Sequence, residues 1–267
     1  MCLCVGVSSA FAQAPAGTPP RAADDEARPQ LAEPDYRLVN LPTTLRLPRF
    51  RSNFDLTHRF NGNLRLGTFG QQAGNLFGLD EGAIVGIEYR FAVARHVQAA
   101  VYRTSVDKAI QFYGKFDLVH QRPATSPLSM SALVSVEGSN NFRERYEPAI
   151  GAVVSRTLGT RLAVYSTPIW VHNTAAETGT SRDTMMLGLG GRIRFGTGAY
   201  LVGEVSPRLA GYRPGDAEYG FGIEKRVGGH VFQLNFANTT GTTFAQIARG
   251  GLPNSLYLGF NLARKFF

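Results

Sequence analysis

From about Thr44 to the C-terminus, apolar and polar residues alternate with period two, in runs longer than a soluble strand needs. Twelve such runs can be read: 51–60, 83–91, 95–104, 108–119, 127–138, 148–157, 160–171, 183–195, 199–208, 216–226, 229–237 and 254–267. Most are 9–13 residues long. Strands of soluble proteins usually have ~5–6 residues, whereas a tilted strand crossing a membrane needs ~9–11. No stretch approaches the ~18–20 apolar residues of a membrane helix, so a helical transmembrane protein is excluded. The pattern predicts an all-β fold, an antiparallel transmembrane β-barrel of about 12 strands over residues 44–267.

The two faces of the runs differ in kind. Val85, Ile87, Tyr89 and Phe91 oppose Gly86, Glu88 and Arg90. Ile110, Phe112, Phe116 and Leu118 oppose Gln111, Tyr113, Lys115 and Asp117. Leu187, Leu189, Ile193 and Phe195 oppose Gly188, Gly190, Arg192 and Arg194. Tyr219, Phe221 and Ile223 oppose Gly220, Gly222, Glu224 and Arg226. In a membrane barrel the apolar face meets lipid and the polar face lines the lumen. Runs 148–157 and 160–171 have no clear phase, and Pro168 predicts a kink there. The connections support the same fold. Alternate ones are tight, as at Leu158-Gly159 and Val227-Gly228, and the others are mostly long, as at 61–82, 172–182 and 238–253. Short periplasmic turns facing long outer loops is the barrel arrangement, with both termini on the periplasmic side. A soluble β-sandwich would not alternate in this way.

The N-terminus reads as a targeting segment. Residues 1–12 form an apolar run ending in Ala10-Phe11-Ala12, the small-x-small form of a signal-peptidase site, although a basic leading region is missing. Both cysteines, Cys2 and Cys4, fall within it, so the mature chain has neither disulfide nor thiol chemistry. Residues 13–43 are rich in Pro, Ala and mixed charge, and read as a flexible periplasmic arm. The chain closes on Phe266-Phe267 after an amphipathic run, which resembles the signal read by the barrel-insertion machinery. Phe60, Phe91, Phe195 and Phe266 fall near run ends, where interfacial girdles lie.

The sequence carries 28 Lys+Arg against 20 Asp+Glu, a formal +8. Its basic residues are spread along alternating segments and its N-terminus is of exported type, so nucleic acid is not the expected partner. Outer-membrane lipid and lipopolysaccharide, the barrel-insertion machinery and a periplasmic protein are. The expected location is the bacterial outer membrane.

Short strings carry a family resemblance. Thr57-His58-Arg59-Phe60 closes the first run, and Leu76-Phe77-Gly78-Leu79-Asp80 sits in the first long loop. Tyr102-Arg103-Thr104-Ser105 and Lys108 join the third and fourth runs, and His120-Gln121 follows the fourth. Their order and spacing resemble an uncharacterised bacterial family of predicted outer-membrane β-barrels, a domain of unknown function, over roughly residues 40–267. The resemblance implies a barrel and assigns no activity.

No enzyme motif emerges. The histidines are scattered with no metal-ligand spacing, and neither a metal nor another cofactor is expected. Ser166 and His172 are the one pair that a lipid-modifying barrel could use, with no residue to orient them. The informative set is the lumen face: Glu88, Arg90, Lys115, Asp117, Arg192, Arg194, Glu204, Arg208, Glu224 and Arg226, joined by Glu137 and Glu218. Glu204 with Arg208, and Glu224 with Arg226, are placed to pair along their own strands. The first reading is a passive channel or binding site for a small polar or anionic solute, with Arg192, Arg194 and Arg226 as anion contacts. The alternative is a non-conducting scaffold that recruits a periplasmic partner through the arm, its lumen closed by paired charges or by loop 61–82.

Overall fold

The computed structural model describes residues 31–122, 125–175 and 178–266. The strands are β1 (Ser52–Asn63), β2 (Ala83–Ala94), β3 (Val97–Thr104), β4 (Ile110–Val119), β5 (Ser129–Gly138), β6 (Glu144–Leu158) and β7 (Leu162–Val171). They continue with β8 (Thr184–Gly196), β9 (Ala199–Ser206), β10 (Arg208–Gly211), β11 (Glu218–Val227), β12 (His230–Ala237) and β13 (Tyr257–Phe266). Successive long strands pair antiparallel, and β13 returns to β1 with Ser52 opposite Phe266 and Leu56 opposite Leu262. The result is a closed twelve-stranded barrel with one short extra strand. That extra strand continues the ninth run beyond Pro207, and β8 pairs with both pieces. Proline has no N–H for the ladder, so the run divides there.

The alternation follows the expected phase. Glu88 and Arg90 are buried inside, while Ile87 and Tyr89 between them face outward and are about half exposed. Phe112, Phe116, Ile193, Phe221 and Ile223 lie on the same outer surface. Strands β6 and β7 explain their own ambiguity. Their inward residues include Ala149, Val153, Ala163, Tyr165, Ile169 and Val171, all buried, so both faces are apolar. Pro168 faces outward, and the β6–β7 ladder lapses opposite it, between the pairs Gly151–Ile169 and Val154–Ser166. Ser166 and His172 are six residues apart, about 20 Å along the strand, too far for direct proton transfer.

The lumen is filled from both ends. Residues 31–48 enter at the rim where β1 begins and β13 ends, rise to mid-barrel and return. Leu38 N–H donates to Leu41 O at 2.8 Å and Thr43 N–H to Tyr36 O at 2.9 Å, which makes the segment a tight hairpin. Leu38, Val39 and Leu41 at its tip are completely buried. From the opposite rim, the β12–β13 connection folds inward and carries the short helix Phe244–Arg249. Thr243 caps that helix and Gln246 closes a capping box with it. Phe244, Ala245, Ile247 and Ala248 pack on Ala149, Ile169, Val171 and Met186 of the wall.

Three sequence expectations change here. Of the arm expected over 13–43, residues 31–43 form most of the lumen hairpin, and residues 13–30 lie outside the described residues. The barrel wall therefore starts at Ser52 and not at Thr44. Loop 61–82 does not close the lumen: its helix Phe69–Gly74 buries no residue and Phe69 is 78% exposed. The targeting segment and Phe267 also lie outside the described residues.

Candidate lumen site

The inner wall is built by period two alone, since every second residue of each strand must point inward. On β1 these are Asn53, Asp55, Thr57 and Arg59, on β2 Glu88 and Arg90, and on β4 Gln111, Tyr113, Lys115 and Asp117. Among the buried residues of the wall strands, eight carboxylates (Asp55, Glu88, Asp117, Glu137, Glu147, Glu204, Glu218 and Glu224) face four cations (Arg59, Arg90, Lys115 and Arg192). The hairpin adds Arg37, Glu33 and Asp35 from within.

Wall side chains hold the hairpin by its backbone. The Glu204 carboxylate accepts three successive amides at the tip, from Val39 at 3.0 Å, Asn40 at 2.7 Å and Leu41 at 3.1 Å. Consecutive amides converging on one anion form a backbone nest. Asn40 Nδ2 donates to Glu218 Oε1 at 2.9 Å. Hairpin carbonyls are met by wall donors: Arg37 O by Arg192, Leu38 O by Gln233, Val39 O by Asn261, and Thr43 O and Leu45 O by Lys115. Arg192 also forms a bidentate pair with Glu224, at 2.5 and 2.7 Å.

Three wall glycines make room for the tip. A Cβ at Gly188 would stand 2.7 Å from Leu41 Cδ1, one at Gly220 would stand 3.0 Å from Val39 Cγ1, and one at Gly190 would collide with Leu38 Cδ1. The glycine string of the eighth run is thus a notch that seats the hairpin.

Arg37 occupies the acidic side of the lumen. Its Nε lies 3.3 Å from Asp55 Oδ2 and its Nη2 lies 2.5 Å from Glu88 Oε2. Its Nη1 donates to Thr242 O at 3.5 Å, and its guanidinium carbon stands 5.1 Å from the centre of the Tyr102 ring. Arg90 takes the other Glu88 oxygen, at 3.0 Å from Nε and 2.8 Å from Nη2, and also reaches the Tyr113 hydroxyl at 2.5 Å.

Of the residues singled out from sequence, Glu88, Arg90, Lys115, Asp117, Arg192, Glu204 and Glu224 are buried in the lumen, with Glu137 and Glu218. The other three stand near the rims. Arg194 is half-buried, with its Nε on Gly196 O at 3.2 Å. Arg226 is half-buried close to the turn at Gly228. Arg208 clasps carbonyls of the long-loop end, Arg249 O and Asp216 O each at 2.7 Å. The expected pairs along single strands do not form: Glu204 takes the hairpin tip and Glu224 takes Arg192. Pro207 ends β9 between Glu204 and Arg208, and Arg192 reaches Glu224 from a different strand. Sequence reasoning missed Asp55, Arg59, Gln233, Asn261 and the whole hairpin. The first run does alternate, so Asp55 and Arg59 were accessible from period two.

Solved structures share this architecture at low identity. The KdgM porin superposes with a TM-score of 0.52 at 9% identity, covering 80% of this chain and 99% of that one. The NanC porin gives 0.52 at 5% identity, covering 80% and 99%. The COG4313 outer membrane channel from Pseudomonas putida F1 gives 0.50 at 11%, covering 83% and 97%. These likenesses carry the fold, that of outer-membrane porins. No curated protein matches the sequence. The profile of one family matches residues 35–266, which takes in nearly the whole hairpin and the barrel together, and the chain belongs to that family, the membrane-bound β-barrel domain DUF5777.

Proposed function

We propose that this outer-membrane barrel is a channel for a small polar solute, and that the hairpin at 31–48 closes it in the conformation described. The observation that carries this reading is how the hairpin is held. Between Leu31 and Leu47 its backbone bonds to itself and to wall side chains, and the barrel sheet closes around it without using it as a strand. A segment held this way can leave without opening the sheet. The wall charge favours a cation over the anion that Arg192, Arg194 and Arg226 suggest from sequence. Arg192 is neutralised by Glu224, Arg194 and Arg226 stand near one rim, and carboxylates outnumber buried wall cations. Partners in this reading are outer-membrane lipid and lipopolysaccharide around the wall and the insertion machinery at biogenesis.

A reversible lock tests it. A Cβ at Gly220 would lie 3.2 Å from Val39 Cβ, close to the ~3.5–4.5 Å of a disulfide. The full chain with Val39→Cys and Gly220→Cys, and with Cys2→Ser and Cys4→Ser, should be silent in planar bilayers when oxidised and give steps when reduced. Silence in both states, and in a chain lacking residues 31–48, would remove the channel reading. It would favour a scaffold that recruits a periplasmic protein.

A further inference from the structure

The group that fills the acidic side of the lumen comes from the movable segment and not from the wall. Arg37 is bound by Asp55 of β1, Glu88 of β2, the Tyr102 ring of β3 and the Thr242 carbonyl. Asp55 and Glu88 are 1% and 0% exposed, and Asp55 Oδ1 is buried without a hydrogen-bond partner. When the hairpin leaves, Asp55 loses its cation and Glu88 keeps only Arg90. In the opened lumen these two carboxylates face the conduit with Arg90 as their one nearby cation, and their negative field favours a cation there. The shape of the cradle limits which one. Two carboxylates meet one edge of a flat donor group, a carbonyl meets another, and an aromatic ring lies against its face. A guanidinium satisfies all of these at once, whereas a compact ammonium does not.

We propose that this cradle is the solute site of the channel, that it takes a small guanidinium or amidinium cation, and that Arg37 is the resident stand-in which the solute displaces. The proposal rests on the channel reading. It makes opening a competition: the solute and Arg37 bind the same carboxylates, so solute binding and hairpin release favour each other.

The test uses the full chain carrying Arg37→Ala, folded in detergent and titrated with methylguanidinium chloride. Sodium chloride and tetramethylammonium chloride at equal ionic strength serve as controls. Saturable calorimetric binding and a rise in the thermal midpoint are expected with methylguanidinium alone. The wild-type chain should bind at least about tenfold more weakly, because its own arginine holds the site. Adding Asp55→Asn and Glu88→Gln should abolish the response. If Arg37→Ala does not fold, Gly190→Leu, which displaces the hairpin tip and keeps Arg37, takes its place in the same titration. Absence of binding in the folded variants overturns the proposal, as does binding that survives loss of both carboxylates. The readout does not depend on conduction. Binding without conductance would sink the channel reading and keep the cradle, and conductance without binding would do the reverse.

Discussion

At the scale of single residues, Glu204 and Arg192 decide how the lumen is filled. Glu204 gathers three amides that a hairpin turn would otherwise leave unpaired in a dry interior. Hydrogen bonds to a charged acceptor each contribute about 1.5–3 kcal/mol. Glu204→Ala should therefore speed amide exchange at Val39, Asn40 and Leu41 by roughly 10- to 100-fold with the strands still protected, as read by hydrogen-exchange mass spectrometry. Unchanged exchange would mean that apolar packing alone seats the tip. Arg192 is a different case, because it pairs with Glu224 of the wall as well as holding Arg37 O of the hairpin. Arg192→Met strands Glu224 in the interior and should cost about 3–5 kcal/mol in denaturant unfolding. Replacing both residues by methionine should recover most of that loss, since a buried pair and a packed apolar pair are often close in stability.

At the scale of elements, the notch and the hairpin are complementary pieces distant in sequence. Gly188 and Gly190 seat Leu41 and Leu38, so a side chain at Gly190 competes for the space of the tip. Gly190→Leu should release the hairpin and leave the barrel folded. Trypsin, unable to reach buried Arg37 in the wild-type chain, should then cut after it, and electrophoresis of the unheated protein should still show a compact barrel. Protection of Arg37 in that variant would show that the tip finds another seat. The same complementarity explains β6 and β7. Their inner faces are apolar at Ala149, Val153, Ile169 and Val171 because the occupants of the lumen, above all the helix Phe244–Arg249, cover part of them. A wall meant to stay wet would be polar there. An inward apolar stripe was thus the one sign, within the sequence, that something resides inside.

At the scale of the whole molecule, the closed sheet leaves no edge among its twelve long strands, and the lipid-facing surface presents Phe112, Phe116, Ile193, Phe195, Phe221 and Ile223. The net charge of +8 belongs to the whole chain, whereas the buried wall is acidic. Global charge and conduit charge therefore point in opposite directions, and the conduit decides selectivity. A chain lacking residues 31–48 should give a reversal potential on the cation side in a potassium chloride gradient, and Asp55→Asn with Glu88→Gln should shift it toward zero. An anion-side potential would restore the arginine-centred expectation.

The barrel wall is legible from consecutive residues. Strand number, run length, the face each residue takes outside β6 and β7, and the division into short turns and long loops are local properties. Period two writes them into consecutive residues, and the seven lumen residues from Glu88 to Glu224 were legible for that reason. What fills the barrel comes from contacts between distant segments. Residues 31–43 carry no periodicity and read as a linker, because their order comes from contacts far along the chain: Asn40 meets Glu218 across 178 positions and Val39 meets Glu204 across 165. Asp55 and Glu88 could be read as inward carboxylates. That an arginine from the preceding segment lies between them could not, since a hairpin with no strand partner leaves no pattern in its own residues.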